Sequence, residues 1–88
     1  MGGEPMCDEN IFLTLLVIKE VKAKVPAAKI YIWTGYLYED LKSKMNPHIS
    51  AVLEMADYLI DGPYIDALRD ITLPMRGSSN QRIINLHA

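Results

Sequence analysis

Ile30-Tyr31-Ile32-Trp33-Thr34-Gly35 is the stretch on which the fold turns. Its β-branched and aromatic residues, closed by a glycine, read as a strand. The run is apolar on both faces, as a buried parallel strand is. Parallel strands need crossover segments, usually helical, so the flanking sequence has to supply them.

It does so on both sides. Upstream, residues 10–24 read as a helix, with Ile11, Leu15, Ile18 and Val25 falling close to one face and Phe12, Leu16 and Val21 widening it. Asp8 is the expected cap, the late lysines suit the negative end of the helix dipole, and Pro26 stops the helix. Downstream, residues 38–44 form a short polar helix, and Met45-Asn46-Pro47 breaks it. Ile49, Val52, Leu53 and Ala56 mark another helix ending near Met55. Tyr58-Leu59-Ile60 reads as a second strand, closed by Asp61-Gly62-Pro63 as turn chemistry. One or two helical turns over residues 65–70, a loop over 71–81 and a third strand over 82–86 complete the order.

The expected class is therefore α/β, with about three parallel strands and right-handed crossovers in one unit spanning residues 1–88. The set looks unfinished. The first helix has no strand before it, and three strands neither close a barrel nor protect both sheet edges. An exposed apolar edge at residues 30–34 is expected to favour a homodimer.

Composition narrows the function classes. The chain has 88 residues, half of them apolar, with a net charge of −2. A chain of this size buries only about 60–65% of the surface its unfolded form exposes, so its stability is marginal. Acidic and basic residues are interspersed and the pI is about 5.5, which argues against nucleic acid or an anionic membrane as partner. Cys7 is the sole cysteine, so an intrachain disulfide is impossible, and no Cys/His cluster has metal-ligand spacing. The longest apolar run, residues 11–18, is too short to span a bilayer, and the first residues lack the basic region of a signal peptide. A reducing, cytoplasmic location is the expectation.

In parallel α/β folds, ligands gather where strands end. Four stretches belong to that rim: Gly2-Gly3-Glu4-Pro5, Thr34-Gly35-Tyr36, Asp61-Gly62-Pro63-Tyr64 and Arg76-Gly77-Ser78-Ser79-Asn80-Gln81-Arg82. Paired glycines bring backbone carbonyls close to a ligand, and Glu4 offers a carboxylate to an ammonium group. Against that stands a disordered terminus. Thr34 and Gly35 present a hydroxyl and a bare backbone, or simply the turn the strand needs. Asp61 anchors a ligand cation or caps the next turn. Residues 76–82 combine guanidinium, hydroxyl and amide groups suited to an oxygen-rich or anionic ligand or to a partner's backbone, or else form a Gly-Ser turn. His48 reads as a solvated loop residue, Cys7 as a small filler or exposed thiol, and Trp33 and the tyrosines as core.

Taken together, the four stretches resemble a known family. Gly2-Gly3-Glu4-Pro5, Ile32-Trp33-Thr34-Gly35-Tyr36 with Tyr38-Glu39, residues 57–64 and residues 73–84 are similar to the C-terminal half of the anaerobic ribonucleoside-triphosphate reductase activating proteins, a radical S-adenosylmethionine (SAM) family. The Trp-Thr-Gly-Tyr and Arg-Gly-Ser-Ser-Asn-Gln pair is more specific than Gly-Gly-Glu-Pro. The resemblance implies a (β/α) radical-SAM barrel, of which this is the C-terminal part, with the cluster-binding half absent. It implies a 4Fe–4S cluster held by a three-cysteine motif, SAM on the cluster's open iron, and a 5′-deoxyadenosyl radical that takes hydrogen from a glycine of the reductase. By position, Gly2, Gly3 and Glu4 match the motif that holds the SAM amino group, and Thr34, Gly35 and Asp61 match positions beside the cofactor. Arg76, Ser78, Ser79, Asn80 and Gln81 are candidate contacts to SAM or to the reductase. No catalytic and no metal-ligating residue is assigned here. Lacking the three cysteines, the chain is expected to hold no cluster and to be inactive alone. The competing expectation is a small α/β interaction or ligand-binding module without catalysis.

Overall fold

A computed structural model describes residues 3–87, so Gly2 lies outside the described residues. The order is α1 (Ile11–Lys24), β1 (Tyr31–Trp33), α2 (Tyr38–Ser43), α3 (Pro47–Met55), β2 (Tyr58–Asp61), a 3-10 turn (Asp66–Leu68) and β3 (Arg82–Asn85). The sheet runs β1-β2-β3. Strands β1 and β2 are parallel, with Tyr31 opposite Tyr58 and Trp33 opposite Ile60. Strand β3 corrects the all-parallel expectation: it is antiparallel to β2, with Asp61 opposite Arg82. Between β2 and β3 the only regular element is a 3-10 turn of 3 residues. A parallel return needs a crossover along the sheet. Here the connection stays at the end where β2 stops, with Gln81 Nε2 donating to Gly62 O and Asn80 Nδ2 to Pro63 O, so β3 re-enters from that same end.

The cap of α1 is also different from the expected one. Asn10, not Asp8, occupies the N-cap, and its side chain makes no cap bond. Asn10 Nδ2 instead donates to Glu4 O at 3.0 Å, and Cys7 O accepts from Asn10 N and Ile11 N. Asp8 pairs with Lys44 at 3.5 Å. Helix α3 follows the usual rules more closely, with Pro47 at its start and the Asn46 side chain accepting from His48 N and Ile49 N. His48 is thus helical rather than in a loop.

One core joins the helices to one sheet face. Ile11, Leu15 and Ile18 of α1 pack with Ile49, Val52, Leu41, Ile32 and Leu59, and Met6 from the entry loop is fully buried among them. Val25 is not part of this stripe and is exposed, as are Phe12 and Leu16. The opposite sheet face carries Trp33 and Ile60. Ile60 is fully buried there, outside the main cluster. Its register partner Trp33 donates Nε1–H to Met75 O at 2.7 Å, so part of the long loop crosses this face. Strand β1 is therefore buried only at Ile32, with Tyr31 and Trp33 half exposed, instead of on both faces. The reason is that β1 is an edge strand: among the described residues it pairs with β2 alone.

Asp57 fastens the far end of the sheet. Its Oδ2 accepts from Ile30 N at 2.7 Å and from Lys22 Nζ at 3.4 Å. The Ile30 amide, aided by Lys22, holds this carboxyl below its usual range. A lowered folded pKa gives stability that is complete above the unfolded carboxylate range, near pH 4, and is lost as pH falls through the folded value. Asp57→Asn is expected to lower the urea midpoint at pH 7, with the difference from the parent shrinking below about pH 4. A difference that stays constant from pH 7 to pH 3 would contradict this account.

Candidate functional site

The Glu4 carboxylate gathers the rim. Its Oε2 accepts from Thr34 Oγ1 at 2.6 Å and from Met6 N at 3.0 Å, while Oε1 accepts from Gly35 N at 2.6 Å. Thr34 Oγ1 in turn accepts from Tyr36 N. Bonds of this kind to an ionised acceptor are the stronger ones. They join the entry loop to the end of β1 across about thirty positions of sequence. A Cβ at Gly35 would sit 3.3 Å from Glu4 Oε1, so the glycine allows this approach.

A cavity of about 260 Å³ opens beside this carboxylate, lined by Gly3, Glu4, Pro5, Trp33, Thr34, Gly35, Gly62, Tyr64 and Gln81. Each of the four rim stretches contributes to it. Gly62 has φ +97°, a conformation open to glycine, which turns the chain sharply past β2. Trp33 and Tyr64 supply aromatic surface that the reading of them as core missed. The signal was available, since each sits two positions from a glycine at a strand end. Tyr64 donates its hydroxyl to Asp66 Oδ1 at 3.2 Å. Desolvation, then the Asp66 partner, pushes the phenol up, so it is neutral at physiological pH. No Lys, Arg or His lines the cavity. One carboxylate and two neutral aromatic rings suit a ligand with a cationic group on a less polar body.

The loop at residues 76–82 is mostly occupied with itself. Gln81 Oε1 accepts from Gly77 N and Ser78 N, Ser78 Oγ donates to Asn80 Oδ1 and accepts from Ile65 N, and Arg76 Nη1 donates to Gln81 O. Gln81 alone of this loop reaches the cavity. Arg76, Ser78, Ser79 and Asn80 do not line it. The expected open constellation for an anion is instead a knot that fixes Gln81 and Gly62 against each other.

Asp61 is likewise beneath the rim rather than on it. Its side chain has no exposed surface; Oδ2 accepts from Tyr38 N at 2.7 Å and Oδ1 from Arg82 Nε at 2.9 Å, with Arg82 Nη2 closing a two-pronged pair. Arg82 also reaches Glu39 through Nη1 at 3.1 Å and Nη2 at 2.8 Å. Asp61 and then Glu39 hold Arg82 protonated, and Arg82 keeps the Glu39 carboxyl below its usual range. With no exposed surface, Asp61 is no free anchor for a ligand; it ties β2, β3 and the start of α2 together.

The chain's residues do not fit an iron–sulfur cluster. Such clusters take thiolate ligands, whereas Cys7 is the one cysteine in the sequence. Among the described residues no three His, Cys, Asp or Glu side chains stand together as a metal site. No helix among them is long and apolar enough to cross a membrane.

Residues 1–84 match the family described as "4Fe-4S single cluster domain". The chain is 32% identical over 85 residues to the anaerobic ribonucleoside-triphosphate reductase-activating protein of Escherichia coli, covering 97% of this chain and 53% of that protein. Its identity to the protein of that name from Vibrio cholerae is 37% over 82 residues, covering 93% and 50%. For the phage T4 protein it is 37% over 82 residues, covering 93% and 48%. The chain therefore spans about half the length of the curated relatives it matches. No solved structure matches it.

Proposed function

Because the chain belongs to the 4Fe-4S single cluster domain family, and its relatives are named as activators of anaerobic ribonucleoside-triphosphate reductase, we propose that it forms the SAM-holding part of such an activator. The observation that carries this reading is the convergence of Gly3, Glu4, Thr34, Gly35, Gly62 and Gln81 on one cavity with a carboxylate at its wall. The ammonium group of SAM is the cation for Glu4, and Trp33 and Tyr64 flank the body of the ligand. The parallel β1–β2 pair with helices supports a place in a (β/α) radical-SAM barrel. Gly2 precedes this wall in sequence and belongs to the same motif by resemblance. Asp61 serves the site by fixing β2 and β3, and residues 76–80 serve it by holding Gln81. The reductase is the partner of the assembled activator. Radical chemistry depends on a cluster held by three thiolates, of which this chain offers Cys7 alone, so the chain by itself is inactive.

Calorimetry with SAM tests the reading. Binding is expected, with N-acetylation of the ligand's amino group abolishing it. Absence of heat and of any thermal shift at millimolar SAM would remove the cofactor from the proposal. Iron–sulfur reconstitution that yields bound cluster and 5′-deoxyadenosine would overturn the predicted inactivity. A second reading, an interaction module without catalysis, is favoured by the uncovered apolar groove beside β1.

A further inference from the structure

Nothing in the backbone requires a glycine at position 77. Among the described residues Gly62 is the glycine with a positive φ, so Gly77 does not serve a left-handed turn. It serves space. A Cβ at this position would sit 3.0 Å from Tyr64 Cδ1 and 3.1 Å from Tyr64 Cε1. An ordinary contact between carbon atoms is about 3.5–4.0 Å. Tyr64 lines the smaller cavity and Gly77 does not, so the loop stands behind the ring as seen from the cavity. We propose that Gly77 is a specificity-determining position: by letting the Tyr64 ring lie back against the loop, it sets how wide a ligand body the cavity accepts. This rests on the reading of that cavity as a SAM site.

The effect depends on which side yields to an added methyl group. The loop backbone is tied down around position 77. Gly77 N donates to Gln81 Oε1 at 2.9 Å, and Gly77 O accepts from Asp70 N at 3.2 Å. Ser78 N also donates to Gln81 Oε1, and Ser79 N donates to Leu68 O. Tyr64, by contrast, is 51% exposed, and its tip rests on Asp66 Oδ1 at 3.2 Å. The ring therefore moves, and it moves away from the loop into the cavity.

The same turn of chain holds the other aromatic wall. Met75 O accepts from Trp33 Nε1 at 2.7 Å, and Met75 stands at φ +62°, a left-handed conformation uncommon for a methionine. Residues 75–77 thus position both rings while lining no part of the cavity themselves.

Titrations compare SAM with S-methylmethionine, which keeps the ammonium and sulfonium groups and lacks the nucleoside. Gly77→Ala is expected to weaken SAM by about fivefold or more and to leave S-methylmethionine within about twofold. In a Tyr64→Ala background the same substitution is expected to change neither, because no ring is left to push. A loosened loop predicts the opposite pattern, with both ligands weakened and the loss persisting without the ring. Urea midpoints of the four chains read the contact without ligand: Gly77→Ala is expected to lower the midpoint beside Tyr64 and to hold or raise it in the Tyr64→Ala background. Equal SAM affinity of parent and Gly77→Ala, equal weakening of the two ligands, or a loss that persists without the ring would overturn the assignment and leave the cofactor reading standing. A parent that binds no SAM would remove both.

Discussion

Arg82→Met is expected to lower the urea midpoint of this chain more than substitution of any other exposed charged residue. The effect arises from Asp61, not from the exposed guanidinium. Asp61 has no accessible surface, and the pair with Arg82 together with the Tyr38 amide is all that compensates its buried charge. Removing the partner strands a carboxylate in low dielectric, which is far more costly than losing a surface ion pair. Two comparisons isolate the cause. Adding Asp61→Asn to Arg82→Met is expected to restore much of the loss, because the neutral amide still accepts from Tyr38 N. Arg82→Lys is expected to fall between parent and Met, since one ammonium cannot make the two-pronged contact. If Arg82→Met and Lys24→Met shift the midpoint equally, the buried-pair account is wrong.

Glu4→Gln is expected to weaken SAM binding by about tenfold to a hundredfold, the equivalent of one charge-assisted hydrogen bond. Glu4 also organises the rim through Thr34 Oγ1, Gly35 N and Met6 N, so loosening of the loop has to be separated from loss of charge. 5′-Methylthioadenosine, which lacks the amino acid end, makes that separation. Loss of charge weakens SAM and leaves the thioether nucleoside unchanged. Disorder of the loop weakens both. Equal affinity of parent and Glu4→Gln for SAM, within about twofold, would take the ammonium contact out of the proposed function.

Local signals determined most of the elements. Residues 30–34 announced a strand through branched and aromatic side chains, Pro26 ended a helix, and Asn46-Pro47 started one. These effects act within one or two turns of chain, so they are legible in sequence. The four rim stretches were legible for a similar reason, because glycines and short polar side chains at strand ends stand out against apolar runs.

Pairing decided the rest. The sequence of β3 suits either direction, and it is antiparallel because its connection stays at the end where β2 stops. Asp61 and Thr34 both end strands with a polar side chain. Tertiary structure placed Arg82 over Asp61 and left it structural, whereas it placed Glu4 over Thr34 beside an open cavity. Residues 76–82 carry the groups of an anion site, yet Gln81 and Asn80 found backbone partners at Gly62 and Pro63 instead. A polar side chain takes whichever partner the fold brings within about 3 Å, and that partner is seldom near it in sequence.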